Sequence, residues 1–271
     1  MYDLSVCAIF KDEASYLKEW IEYHKLVGVQ HFYLYENENE SDDFFAVLNP
    51  YITSGEVTLT HWKDQDKDLW EGRKNAWVYT TQVTAYDHAI WISKGKTKWL
   101  AFIDVDEFIV PVKEDSIVDV LAKYEDKFPG VEVLWDIFGT SNIDTVPPDK
   151  LMIEIMHRRC AKIPMPYDRK TILRPEFYNG FFQPPHDCLY VNELQSCEIN
   201  PSEMVVNHYM NRCKDYFFHV KLKNKMKMMN RQFQDWEIND LMALGNDSED
   251  TRKFVQRFVP TLREKMGLEN E

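Results

Sequence analysis

The sequence predicts an α/β fold, and two stretches carry that prediction. Residues 4–35 read as strand, helix and strand within about 35 residues, the size of a parallel βαβ unit. Farther on, WLAFIDVDEFIVP (99–111) opens as an apolar run of buried-strand length. It then delivers three carboxylates within four residues: Asp104, Asp106 and Glu107. Ligands on open α/β sheets gather outside the carboxyl ends of strands. Residues 11–13, 36–39 and 104–107 would all fall on that edge.

Taken in order, LSVCAIF (4–10) is the first buried strand. Lys11, Asp12 and Glu13 then open a helix in which Leu17, Trp20, Ile21 and His24 follow amphipathic spacing. Gly28 suits its end, and HFYLY (31–35) is the second strand, leading into the polar turn ENENESDD. GEVTLTHW (55–62) reads as a third strand, and a helix over about 74–93 feeds the acidic strand. If that strand persists, Asp104 and Asp106 share a face and Glu107 takes the other, by period-two alternation; Pro111 stops further pairing. A helix from Ile117 to Tyr124 and a strand over VEVLWDIFG (131–139) follow. Residues 140–190 are rich in proline and polar groups, which suits loops and short strands around a site. Val205 and Val206 make a short strand ending in Asn207, His208 and Tyr209, and helical pattern resumes near Cys213. The tail, 250–266, forms an amphipathic helix on Phe254, Phe258, Leu262 and Met266.

Composition narrows the function. A chain of 271 residues, 44% hydrophobic and 14% aromatic, is globular rather than disordered. Its net charge of -13 opposes non-specific nucleic-acid binding. The N-terminus carries neither a signal peptide nor a membrane span, and the 5 scattered cysteines fit reduced thiols in the cytoplasm. One segment runs against the acidic trend: 212–231 holds Arg212, Lys214, Lys221, Lys223, Lys225, Lys227 and Arg231 against Asp215. Such a patch suits an anion site, or peripheral contact with anionic lipid at the inner face of a membrane.

Two like charges at the mouth of an apolar strand repel, and burying an ion costs several kcal/mol. A hard divalent cation resolves both problems, so Asp104 and Asp106 read as a metal site. A solvated acidic turn is the plain alternative. An EF-hand is excluded by Phe108 and Ile109, which stand where that loop needs an oxygen ligand and a glycine. His208, after its short strand, can complete the metal shell as a neutral imidazole, and His186 competes for that place. His24, on an apolar helix face, reads as packing. Lys170, Arg174 and Lys221 are candidate phosphate partners. A nucleotidyltransferase would want a glycine-rich basic loop after the first strand, and KDEAS is neither.

Together these blocks resemble glycosyltransferase family 92. The matches are CAIFKDEASYLKEWIEYHKLVGVQHFYLYEN, WLAFIDVDEFIVP, LWDIFGTS, KTILRP, the later His186 and VNHYMNRCKDYFFHVK, in the family's order over roughly residues 4–225. The resemblance implies a GT-A fold: a Rossmann-like mixed sheet flanked by helices over 1–235, with 236–271 a helical tail packed on or extending from it. It implies manganese or magnesium on the diphosphate of a nucleotide-sugar, expected to be UDP-linked with UDP-galactose a candidate. The acceptor would be a glycan or glycolipid, and transfer would be inverting. Asp104 would lie near the ribose or metal, Asp106 would be a direct ligand, and His208 matches the late metal-binding histidine. Lys11, Asp12, Glu13, Glu36 and Asn37 match loops bordering the nucleotide, and Lys221 a diphosphate contact. Asp136 stands where such enzymes often carry the base, with Glu176 and Asp187 as alternatives. Cys213 departs from the serine usual at its place. A glycan-binding protein that kept the fold and lost turnover is the rival reading.

Overall fold

The computed structural model describes residues 1–39, 43–63, 78–161, 168–183 and 186–269. The expected βαβ unit is β1 (Tyr2–Phe10), α1 (Ala14–Leu26) and β2 (His31–Glu36), with Cys7 opposite Tyr33 in parallel register. A helix that the sequence reading did not anticipate, α2 (Phe44–Thr53), comes next. The Asp43 carboxylate caps it by accepting from the Ala46 N–H at 3.1 Å. Then β3 (Val57–His61) joins β2 in parallel. A π-helical turn, Val78–Gln82, and α3 (Val83–Ser93) lead into β4 (Thr97–Phe102), parallel to β1. The start expected for this helix near residue 74 lies outside the described residues.

Beyond β4 the expectation of one persistent acidic strand is corrected. β4 stops at Phe102, the chain turns through 103–106, and β5 (Glu107–Pro111) starts afresh at Glu107. Both Ile103 and Val105 are buried, so the turn is anchored in the core rather than held out in solvent. There follow α4 (Ile117–Leu121), β6 (Gly130–Ile137), α5 (Met152–Ile155), β7 (Arg158–Arg159) and β8 (Arg169–Leu173). Next come the antiparallel pair β9 (Tyr178–Gln183) and β10 (Asp187–Tyr190), then β11 (Cys197–Glu198) and β12 (Met204–His208). The last part holds α6 (Lys214–Tyr216), a π-helical turn Phe217–Lys221, α7 (Leu222–Met229), α8 (Asp235–Ala243), β13 (Ser248–Glu249) and α9 (Val259–Met266). The tail is thus a 3-10 turn over Phe254–Phe258 followed by a shorter α-helix.

Among the described residues the main sheet runs β3-β2-β1-β4-β8-β6-β12-β5, with β11 alongside β6. It is mixed because β8 lies antiparallel to both β4 and β6, and β5 antiparallel to β12. One apolar cluster holds Leu4, Val6 and Ala8 of β1 with Leu17, Trp20 and Ile21 of α1; the other holds Cys7, Ile9 and Phe102 with Tyr86 of α3. Helices therefore cover both faces, as the α/β reading requires.

β5 ends the sheet, and an edge strand leaves backbone groups in need of partners. α1 supplies them. Trp20 Nε1–H donates to the Glu107 carbonyl at 2.8 Å and Tyr23 O–H to the Ile109 carbonyl at 3.1 Å. The Ile109 N–H donates to His24 Nε2 at 3.3 Å, while His24 Nδ1 meets the Trp20 carbonyl at 2.8 Å. Burial pushes the His24 imidazole down to about 3, so it stays neutral and can accept. The apolar face of α1 thereby fixes the strand that begins with Glu107.

Candidate active site

The acidic turn sits where β4 ends and β5 begins, and three lysine or histidine side chains converge on it. Lys170, first inward residue of β8, is 2% exposed; its ammonium lies 2.7 Å from Asp104 Oδ2 and 3.0 Å from Glu107 Oε2. Asp104 also accepts from Gln82 Nε2 at 3.3 Å, and its own N–H donates to Glu107 Oε2 at 2.9 Å. His208 closes β12 in register with Glu107; Nε2 lies 3.5 Å from Asp106 Oδ1 and Nδ1 3.7 Å from Glu107 Oε1. Lys221, at the end of the π-helical turn, reaches Asp106 Oδ2 at 2.9 Å. Burial alone would raise the Asp106 carboxyl, but Lys221 and His208 outweigh it and hold it well below the usual range. Burial wins at Glu107, whose carboxyl is pushed up to about 7 despite Lys170.

These groups open into a hollow of about 330 Å³ lined by Lys11, Glu13, Asp104, Asp106, His208 and Lys221, among others. Its far wall is braced by a residue of the basic segment. Arg212 is fully buried, with its guanidinium 3.8 Å from the Tyr16 ring centre and 4.4 Å from that of Tyr216. It pairs with Glu13 Oε2, while the Tyr216 hydroxyl donates to Glu13 Oε1 at 2.6 Å. Burial pushes the Glu13 carboxyl up against the pull of Arg212.

A divalent cation fits this chemistry. One ligand atom from each of Asp106, Glu107 and His208 lies within 4.8 Å of the others. Glu107 Oε1 and His208 Nδ1 are buried and carry no hydrogen bond, an arrangement that costs free energy unless a further partner arrives. Two carboxylate oxygens and an imidazole are donors that manganese or magnesium accepts.

Other expected residues fall into place around the hollow or away from it. Glu36 and Asn37 end β2 on the same edge. Glu36 Oε1 takes the Asn39 N–H at 2.6 Å and Oε2 pairs with His61, and these contacts overcome burial to hold its carboxyl low. The Asp12 N–H donates to Asn39 Oδ1 at 2.5 Å, tying the loop of Lys11 and Asp12 to that of Glu36. His186 places Nδ1 against the Arg169 carbonyl at 2.9 Å and its ring edge on Trp135, 5.4 Å between centres. Trp135 also meets His208, at 4.6 Å; both histidines thus contact one indole, and His186 does not join the cluster of Asp106, Glu107 and His208. Burial and Lys170 push the His186 imidazole down.

Four expected residues lie away from the hollow. Arg174 follows β8, which runs antiparallel to β4 and carries it to the opposite edge; it donates to the Glu125 carbonyl at 2.9 Å and stacks on Phe177. Four residues of strand separate it from Lys170, roughly 13 Å. Asp136 sits between Arg159, at 3.2 Å, and Arg252, at 2.8 Å, and does not line the hollow. Asp187 pairs with Arg169 at 2.7 Å, beside Glu132, in a second hollow of about 460 Å³. Burial pushes Glu132 up to about 7. Glu176 accepts from the Gly95 N–H at 2.7 Å, remote from the acidic turn.

Sequence reasoning passed over Glu107 and Arg212. Glu107 was assigned to the opposite face because alternation assumed an unbroken strand; the turn returns its side chain to the side of Asp106. Its signal was an acid at the head of a wholly apolar strand. The sequence groups Arg212 in a basic patch suited to an anion site or anionic lipid, yet four cations of that segment, Arg212, Lys214, Lys221 and Arg231, pair with Glu13, Asp144, Asp106 and Glu237.

Comparison with known proteins places these features in a family context. The model for "Glycosyltransferase family 92" matches residues 2–243. The chain is 26% identical over 227 residues to a glycosyltransferase family 92 protein of Ricinus communis, covering 80% of this chain and 36% of that protein. It is 35% identical over 113 residues to a galactan beta-1,4-galactosyltransferase of Arabidopsis thaliana, covering 40% and 21% respectively. Similarity to a beta-1,4-galactosyltransferase of Caenorhabditis elegans is 31% over 116 residues, 41% of this chain and 26% of that protein. The match spans about a third of the length of the family 92 relatives that align with 77–80% of this chain.

Proposed function

The chain belongs to glycosyltransferase family 92, and on that premise we propose that it transfers a hexose from a nucleotide-sugar to a glycan or glycolipid acceptor. The donor in this reading is UDP-linked, and the relatives named as galactosyltransferases make UDP-galactose the first to test. The observation that carries the proposal is the buried Asp106, Glu107 and His208 cluster, set beside Lys170 and Lys221 at the carboxyl edge of β1 and β4.

Transfer with inversion needs the diphosphate held in line and an acceptor hydroxyl deprotonated. A divalent cation on Asp106, Glu107 and His208 would stabilise the departing diphosphate as a Lewis acid. Lys221 and Lys11, on the wall of the hollow, supply positive charge to the same phosphates. Glu36 and Asn37, tied to residues 12 and 39, border the nucleoside side. Asp104 is oriented by Lys170 and Gln82, suited to meet a ribose hydroxyl. For the base, Asp187 is the better candidate than Asp136, because it lines an open hollow and forms an ion pair with Arg169 alone among the described residues, whereas Asp136 lies between Arg159 and Arg252. Peripheral contact with anionic lipid, if the acceptor is a glycolipid, would use Lys223 with the exposed Phe218, Met229 and Trp236. Among the described residues no helix is long and apolar enough to cross a membrane.

A panel of nucleotide-sugars with manganese tests the reading. Donor hydrolysis or transfer is expected with at least one, and Asp106→Ala abolishes it. Absence of nucleotide-sugar binding under every metal condition would overturn it.

A further inference from the structure

Three carboxylates, Asp104, Asp106 and Glu107, face two ammonium groups, Lys170 and Lys221, in one cluster. Most of the cluster's negative charge is therefore already paired before any metal arrives. The two lysines are not equivalent. Lys170 is 2% exposed and locked between two carboxylates, at 2.7 and 3.0 Å. Lys221 is 35% exposed, holds one carboxylate, and ends a π-helical turn, a distortion found often at functional sites. It also lines the hollow in which Glu13 and Asp106 lie.

We propose that Lys221 is a built-in counter-cation for Asp106 that makes metal and nucleoside diphosphate binding depend on each other. This rests on reading the hollow as a donor site with its metal on Asp106, Glu107 and His208. A dication arriving alone meets a carboxylate already paired and an ammonium within Coulombic reach. A diphosphate gives Lys221 a second anionic partner. The ammonium then exchanges Asp106 for phosphate oxygen, and Asp106 is released to the metal. By linkage, the metal tightens nucleotide by the same factor that nucleotide tightens metal. No bond is made or broken in this exchange; one ion pair replaces another.

Free manganese measured by electron paramagnetic resonance, during titration of the whole chain with and without UDP, tests this directly. For the native chain, manganese is expected to bind weakly alone and about tenfold or more tighter with saturating UDP. Lys221→Met should bind manganese alone about tenfold tighter than the native chain and lose most of the gain from UDP. Lys221→Arg, which keeps the charge, should behave as native and shows that the position tolerates substitution. Lys94→Met, at an exposed lysine that follows α3, should change neither affinity. Equal manganese affinity of the native and Lys221→Met chains without UDP, or native binding indifferent to UDP, overturns the proposal. Failure of every chain to bind manganese even with UDP overturns the metal reading itself, and so separates the two failures.

Discussion

The Lys170 ammonium lies 3.0 Å from Glu107 Oε2, with the two side chains 2% and 0% exposed. Asp104 and Glu107 keep the ammonium charged in the core, and its pull opposes the rise that burial forces on the Glu107 carboxyl. Removing one partner of such a pair leaves an uncompensated ion and typically costs about 3–5 kcal/mol. Lys170→Met should therefore lower stability by that order in urea denaturation. Adding Glu107→Gln should restore a large share, because the stranded carboxylate goes with it. A Lys170→Met loss below about 1 kcal/mol would show that the pair is hydrated or otherwise compensated.

Arg212 joins Glu13 at the mouth of α1 to the helical segment carrying Lys221. A lysine keeps the charge but has neither the planar fork nor the stacking surface between Tyr16 and Tyr216. Arg212→Lys should destabilise the fold by about 1–3 kcal/mol, the scale of a lost charged hydrogen bond with its ring contacts. It should also weaken nucleotide binding, since the wall of the hollow loses its brace. Calorimetry with UDP and manganese reads both: unchanged affinity in a folded variant would confine Arg212 to stability.

Asp136 and Asp187 give opposite expectations. Asp136→Asn should weaken the ties to Arg159 and Arg252, lowering thermal stability while the folded fraction keeps its turnover. Asp187→Asn should lower turnover by about 100-fold or more, the reach of general-base catalysis, with UDP affinity retained. Reversal of this pattern would move the base to Asp136.

The strands and the first helix were legible because each leaves a local mark: period two or unbroken apolar runs for strands, period 3.6 for α1. The edge that collects Lys11, Glu36 and Asp104 was legible too, since parallel βαβ order fixes which strand ends meet. Long-range pairing left no such mark. Nothing in KTILRP reveals that β8 runs against β4, so Lys170 and Arg174 looked equivalent, and only Lys170 reaches the acids. The face of Glu107 depended on a turn of four residues whose apolar members, Ile103 and Val105, read as continued strand. Arg212 was hidden by its neighbours, because a buried cation is recognisable only from its acid, and Glu13 lies 199 residues away.

Glu19 provides the pH test. It is wholly inside α1's packing face, accepting from the Met152 and Ile153 N–H groups at 2.9 and 3.0 Å. Burial pushes its carboxyl up to about 7, against the pull of those two donors. A folded-state value above the unfolded one means the folded chain holds the proton more tightly. The stability this contributes is full below about 4.5 and is lost as pH rises through about 7. The native chain should therefore lose on the order of 2–3 kcal/mol from this group between pH 5 and 8, read as the difference from Glu19→Gln. The glutamine variant, which cannot ionise, should show a flatter profile and approach or exceed native stability at pH 8. Parallel profiles for the two proteins would mean that Glu19 titrates as it does in the unfolded chain, and that its two backbone hydrogen bonds fully offset its burial.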